Sequence, residues 1–377
     1  MKRYAHIVGW GKYIPQKVLT NDDLSQMVDT SDEWIRTRTG IRERRIASEQ
    51  ETTASMSIAA AREALRVADA DPAQIDLIIV GTATPEYLFP STACLVQDAL
   101  GARQAAAFDL SAGCSGFVYG LSVASHTIES GAYQLALVIG AETLSRIIDW
   151  TDRHTCVLFG DGAGAVLLQA NEHAGGVLSS VLGADGSGGE LLILRGGGSR
   201  FPPTPESVAN GLHYVQMDGR RVYRFATRVM TRATRQALEM AGLSPKDLSL
   251  LIPHQANQRI IDSAAKGLKL DDSKIFVNLD RYGNTSSASV PIALCEAVEA
   301  GRVKRDDTLV LVSFGAGLTW AAATVRWSVP LPVAAPPRWR VAVRWTRYCW
   351  TTIRRRALNA LWWLIDRLLL PWIKRKD

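Results

Sequence analysis

The chain has 377 residues, 47% of them hydrophobic, enough for one large domain or two of ordinary size. Its net charge of +6 is uneven: from Ser328 onward eleven Lys and Arg face two Asp, leaving 32 basic and 35 acidic side chains in the first 327 residues. A slightly acidic body argues against nucleic-acid binding, and five scattered cysteines without a C-x-x-C pair argue for a reducing cytoplasm against a disulfide scaffold or structural zinc.

The opening Met1-Lys-Arg-Tyr-Ala-His-Ile7 leads into no apolar h-region, so no secretory signal is expected. Further on, REALRVADADPAQIDLIIV (62–80) lies over RQALEMAGLSPKDLSLLIP (235–253), matching Ala64 with Ala237, Leu65 with Leu238, Ala68 with Ala241 and Pro72 with Pro245. Each copy predicts an amphipathic helix, a proline turn and a buried strand. The match continues from the apolar run 134–141 to 308–315, and from the glycine-rich 160–168 to 315–323. A repeat of about 170 residues is too long for a solenoid and reads as a duplicated α/β unit, with mainly parallel sheets covered by helices. The halves are expected at 1–172 and 173–327, before a Pro-rich linker at 328–337 and a basic tail at 338–377. Between Gly183 and Leu212 a Gly/Pro-rich stretch predicts a lid, a substrate wall, a subunit contact or a plain surface loop.

Four segments carry chemistry. Cys114, in FDLSAGCSGFVYG (108–120), stands where an apolar run ends in small residues and a helix begins; a helix N-terminus favours thiolate there. A free cysteine alone is more often a small buried hydrophobe, so its partners decide. His254, in Pro253-His-Gln-Ala-Asn257, follows the second buried strand, and open α/β sheets place their sites at strand ends. The turn Tyr282-Gly-Asn-Thr-Ser-Ser-Ala-Ser289 contains Asn284, whose default role is a helix N-cap. Finally, Phe314-Gly-Ala-Gly317 offers backbone N–H groups for an anion.

These four segments, with Thr30-Ser-Asp-Glu-Trp-Ile-Arg-Thr-Arg-Thr-Gly40, resemble the β-ketoacyl-[acyl-carrier-protein] synthase III family of the thiolase superfamily, in one register from about Ala5 to Trp327. The resemblance implies the thiolase fold, with duplicated halves in five layers (α/β/α/β/α), a homodimer, and no cofactor or metal, CoA thioesters being substrates. It implies that Cys114 takes the acyl group of an acyl-CoA, and that malonyl-[acyl-carrier-protein] then loses carbon dioxide and attacks it. His254 and Asn284 would stabilise the enolate, and the backbone N–H groups of Cys114 and Ala316 the oxyanion. Ala316 replaces a frequent glycine. Trp34 and Arg38, preceded by Thr30, would sandwich the adenine of CoA, Arg153 would touch its head, and Asn257 and Arg259 would line the pantetheine and phosphate path. Phe89, arriving from the partner subunit, and Met217 would wall the acyl pocket. Arg224, Arg259 and Lys266 would dock the acidic carrier protein; Gly267 replaces a lysine of some members, so other basic residues are expected to help.

Elongating ketosynthases have a second histidine at the position of Asn284, and biosynthetic thiolases a second cysteine in the glycine turn, so both branches fit less well. Plant-type polyketide synthases share the Cys, His and Asn, but SDEW and HQAN fit the synthase III branch better. A specialised acyltransferase with another acceptor stays open, as does a non-catalytic, membrane-attached binding protein on this scaffold.

The tail lies outside the family pattern. Trp350, Ile353, Ala357, Leu361, Leu364, Leu368 and Trp372 recur at helical steps. Arg355, Arg356, Asn359 and Asp366 share the other side with Trp362, Trp363 and Leu370, and Asp366-Arg367 interrupts any run of about 20 apolar residues that could cross a bilayer. Arginine with tryptophan predicts a helix on an anionic membrane surface, placing the chain in the cytoplasm and on its membrane face; docking on the body or a partner, or a disordered extension, are the alternatives.

Overall fold

Strands reading LIIVG, LALVIGAE and TLVLVSFG have no polar face, so they suit only a sheet covered on both sides. A computed structural model describes residues 2–329 and 338–368. In chain order the first elements are β1 (Tyr4–Tyr13), β2 (Lys17–Thr20), α1 (Asn21–Ser25), α2 (Asp32–Thr39), β3 (Glu43–Ile46), α3 (Thr53–Val67), β4 (Leu77–Gly81), α4 (Thr92–Leu100), β5 (Ala106–Leu110), α5 (Gly116–Glu129), β6 (Leu135–Glu142) and β7 (Gly162–Asn171). There follow β8 (Gly176–Ala184), β9 (Leu192–Leu194), α6 (Pro205–Ala209), β10 (Val215–Met217), α7 (Gly219–Met240), β11 (Leu250–Pro253), α8 (Gln258–Leu268), α9 (Leu279–Tyr282), α10 (Ser289–Glu299), β12 (Thr308–Gly315), β13 (Thr319–Arg326) and α11 (Arg338–Leu368).

The main sheets run β1-β7-β6-β4-β5 and β11-β12-β13-β8. The repeated pieces occupy equivalent places. β4 pairs parallel with β6 and β6 antiparallel with β7; β11 pairs parallel with β12 and β12 antiparallel with β13. Where β5 flanks β4, the second sheet keeps only the parallel bridge Leu251 to Ile275. The sheets are therefore mixed, not mainly parallel as the α/β alternation predicted. The tight Ala316–Leu318 turn explains one case, since a parallel pair needs a long crossover and an antiparallel pair does not.

Alternation along each strand builds the layers. Ile79, Val138, Ile252 and Leu311 point into a central cluster with Phe117, Val118 and Leu121 of α5 and Val290, Ala293 and Leu294 of α10. Their neighbours Ile78, Val80, Leu137 and Ile139 face the opposite way, onto α3 and α4. On the second sheet Leu251, Val310 and Val312 face α7 and α8. Two outer helix layers, two sheets and a middle layer of α5 and α10 make the five-layered thiolase fold.

The stretch between Gly183 and Leu212 is more structured than its composition predicts: β9 pairs antiparallel with β10, and Thr204 caps α6 through Ser207. At the C-terminus the helix begins at Arg338, ahead of the stripe read from Trp350. The linker residues 330–337, Leu370 and Trp372 lie outside the described residues.

Glycines set the spacing between layers. A Cβ on Gly140 of β6 would lie 2.2 Å from the Ser287 carbonyl oxygen, a backbone atom that cannot step aside. Gly140→Ala should therefore cost about 1–3 kcal/mol in chemical denaturation and shift the turn that holds Asn284. Gly186, with nothing within 4 Å of its Cβ position, should accept alanine within about 0.5 kcal/mol.

Candidate active site

Cys114 sits in a 3₁₀ turn, Gly113–Ser115, between β5 and α5. Gly113 adopts φ +53°, and a Cβ there would fall 2.7 Å from the Ala316 nitrogen. A Cβ on Gly315 would fall 2.4 Å from the Cys114 nitrogen. The end of β12 thus lies against the thiol loop, which brings the Cys114 and Ala316 backbones together. Cys114 is buried, and burial, reinforced by the nearby Glu142 charge, pushes its thiol up to about 12 against the Ser286 hydroxyl. The helix start alone predicts a thiolate; desolvation outweighs the dipole, and the resting group is a thiol.

His254 directly follows β11. Its N–H donates to the Val312 carbonyl at 2.7 Å, and its ring meets Phe314 edge-on at 5.2 Å. Nδ1 is 2.6 Å from the Ser289 hydroxyl, which itself accepts the Gln255 N–H at 3.5 Å. A serine hydroxyl that donates to Nδ1 would leave the imidazole proton on Nε2, the arrangement that the proposed chemistry uses. Nε2 is buried without a hydrogen-bond partner, and burial pulls the ring down to about 3, so the imidazole is neutral.

Asn284 is not the helix N-cap that its type predicts. It lies between α9 and the 3₁₀ turn Ser286–Ala288, where its N–H donates to Leu158 O at 2.8 Å and its carbonyl accepts from the Gly160 N–H at 3.0 Å. Its Oδ1 accepts the Ser286 N–H at 2.8 Å, which orients the Nδ2 amide as the donor.

Glu142, at the end of β6, ties these parts together and was missed in the sequence. Its carboxyl accepts from Thr84 at 2.6 Å, Ser287 at 2.9 Å, Ser286 at 3.0 Å and the Ala83 N–H at 3.1 Å. Burial drives this carboxyl above its usual range against those donors. An acidic residue closing an all-apolar strand was the available signal, as Ser289 after the GNTSSA run was for the histidine.

A second set of residues gathers around Trp34 on α2. The Arg38 guanidinium lies 4.7 Å and that of Arg153 5.3 Å from the Trp34 ring. Arg153 also donates to the Asp29 carbonyl at 2.7 Å. Asn257 caps α8 and donates to the Arg38 carbonyl at 3.1 Å, while Thr30 Oγ1 is buried without a partner. Arg259 follows on α8, its guanidinium 5.7 Å from the Tyr223 ring. Arg224 on α7 and Lys266 on α8 are exposed on adjacent helices, and the sequence reading missed Arg220, Arg228 and Arg232, exposed on α7 at steps of four around Arg224. Met217 packs beside the second-sheet core, whereas Phe89 is 86% exposed within its own chain. Among the described residues no group of three His, Cys, Asp or Glu is arranged to hold a metal.

Two family models match, 3-oxoacyl-[acyl-carrier-protein] synthase III over residues 108–186 and its C-terminal part over 238–327. The β-ketoacyl-[acyl-carrier-protein] synthase III of Symbiobacterium thermophilum is 59% identical over 325 residues, covering 86% of this chain and 98% of the relative. The crystal structure of 3-oxoacyl-[acyl-carrier-protein] synthase III from Aquifex aeolicus superposes with TM-score 0.80 at 50% identity, covering 86% of this chain and all of that one. The priming β-ketosynthase of the R1128 polyketide biosynthetic pathway follows at TM-score 0.81 and 38% identity, covering 87% and 98%. With its thiol, imidazole and amide on the same fold, this chain belongs to the β-ketoacyl-[acyl-carrier-protein] synthase III family.

Proposed function

We propose that Cys114 carries the acyl group and that His254 and Asn284 stabilise the enolate that attacks it. The protein is a condensing acyltransferase that forms a 3-oxoacyl-[acyl-carrier-protein] and initiates fatty acid synthesis. The observation that carries the residue assignment is the buried, unpartnered Nε2 of a neutral His254, held in orientation beside the strand end that packs on Cys114.

In the first stage the Cys114 sulfur bonds the acyl carbon, the bond to the CoA sulfur breaks, and the thiol proton leaves with CoA. In the second, malonyl-[acyl-carrier-protein] loses carbon dioxide, and the electron pair of the broken C–C bond moves onto the thioester oxygen. Nε2–H of His254 and Nδ2–H of Asn284 are the donors for that charge. A neutral imidazole suits this task, since it gives a hydrogen bond without a buried cation. The enolate carbon then bonds the acyl carbon, and Cys114 leaves and regains a proton. The backbone N–H groups of Cys114 and Ala316 serve the oxyanion at both acyl transfers, each such donor typically contributing about 2.7–4 kcal/mol. Glu142 positions Ser286 and Ser287, and through them the asparagine turn.

Trp34 with Arg38 and Arg153 offers an aromatic and cationic platform for the adenine and phosphates of CoA, with Thr30, Asn257 and Arg259 along the path inward. The exposed arginines of α7, with Arg259 and Lys266 of α8, supply the positive face for an acidic carrier protein. A homodimer is supported by exposed Tyr87, Leu88 and Phe89 and by β5, the outer strand of its sheet; Phe89 would then reach the partner's acyl pocket beside Met217. The halves are assigned to 1–172 and 173–327, and the enzyme to the cytoplasm. Likeness to a polyketide-priming synthase supports a second reading, in which the same acyl-cysteine serves a specialised pathway.

The deciding measurement is intact mass after incubation with a panel of acyl-CoAs, followed by malonyl-[acyl-carrier-protein] or malonyl-CoA. The protein should gain one acyl mass, Cys114→Ala none, and only the carrier-bound malonyl group should discharge it to a 3-oxoacyl product. Acylation without discharge by either malonyl donor would favour the specialised reading. Asn284→Ala and His254→Ala should keep acylation and lose roughly 10²–10³-fold in condensation. Because burial raises the Cys114 thiol, its alkylation rate should climb about tenfold per pH unit from pH 7 to 9; a plateau near the ordinary thiol pKa of about 8.5 would contradict the buried-thiol state.

A further inference from the structure

The body of the chain ends firmly. Trp327 is buried 5.2 Å from the Trp10 ring, and Ser328 holds His6 Nδ1 at 2.6 Å. Beyond it α11 runs for 31 residues, about 46 Å at 1.5 Å per residue. It rests on α4 through Tyr348, which packs against the α3–α4 core and takes the Arg62 guanidinium 4.5 Å over its ring.

At about 100° per residue, Trp339, Val343, Trp350, Ile353, Leu361 and Leu364 fall along one line of the helix, and Tyr348 lies on the opposite side. The body therefore takes the Tyr348 side. Those six side chains are 44% to 63% exposed. Trp350 borders a cleft with Pro72, Leu100 and Arg103 and still presents most of its surface outward. Exposed Arg354 flanks the line.

Charge decides what covers this line. Residues 338–368 contain eight Arg and one Asp, and Lys374, Arg375 and Lys376 follow, whereas the first 327 residues carry a small negative balance. A second copy of α11 would bring like charge against like. An anionic lipid surface brings the opposite charge, and its headgroup boundary favours tryptophan over the polar solvent or the hydrocarbon centre. No described helix is long and apolar enough to cross a membrane, which leaves a helix lying in the plane of the interface. We propose that α11 lays the Trp339–Leu364 line into the surface of an anionic bilayer and tethers the condensing body there.

The inference is independent of the catalytic assignment, because its test reads binding. Full-length protein is floated with phosphatidylcholine vesicles, with and without phosphatidylglycerol, beside a chain ending at Val329 and the full-length Trp350→Asp/Leu361→Asp variant. The full chain should float with the phosphatidylglycerol vesicles, remain behind with the neutral ones, and detach at high salt. Both variants should lose flotation while keeping acylation of Cys114, which shows that the body is folded. Equal flotation of the full and shortened chains would overturn the proposal. So would equal binding to neutral vesicles, or a lipid-independent assembly, larger for the full chain than for the shortened one, in which the line seats a second copy.

Discussion

Backbone-to-backbone contact where the two sheets converge is the constraint on which the site depends. Gly81 meets Gly116, Gly140 meets Ser287, and Gly315 meets Cys114, each so closely that a Cβ on the first residue would come within 2.2 to 2.5 Å of the second residue's backbone. These contacts seat α5 and the Ser286–Ala288 turn between strand ends from opposite halves. Only that closeness lets a thiol on one half share a site with an imidazole and an amide on the other.

Close packing also sets the electrostatics. The thiol and the imidazole are both buried, and burial pushes the one up to about 12 and the other down to about 3, so both are held uncharged. In the proposed mechanism a neutral ground state would leave the donors of His254, Asn284 and the glycine turn for charge that appears only during reaction, where a preorganised dipole acts most strongly. Beside them Glu142, a buried carboxyl whose pKa burial raises, is surrounded by hydroxyl and amide donors and links β6 to the asparagine turn.

Much of the fold was legible because duplication leaves a repeated pattern, and strands buried on both faces read as unbroken apolar runs. The three chemical side chains were legible because small residues and glycines crowd around them. Pairing direction was not, since an apolar run looks the same in parallel and antiparallel ladders; the short turn before Thr319 settles it for β12 and β13. For Asn284 local chemistry alone offers a cap as the default, and what fixes its backbone instead, Leu158 and Gly160, lies more than a hundred residues away. Arg220, Arg228 and Arg232, beside Arg224 on α7, escaped notice because charge on a helix becomes a surface only when its neighbours are known.

By itself the sequence determined which residues are chemically able to act, where the repeat lies, and that the tail is basic and tryptophan-bearing with a helical period, for these follow from residue type and spacing. Only the tertiary structure decided that burial holds Cys114 as a thiol, that Nε2 of His254 is left without a partner, that Glu142 is bonded to the asparagine turn, and that the Trp339–Leu364 line of the tail helix stays largely exposed. Protonation and exposure depend on what lies across space, and the groups that control them here come from distant parts of the chain.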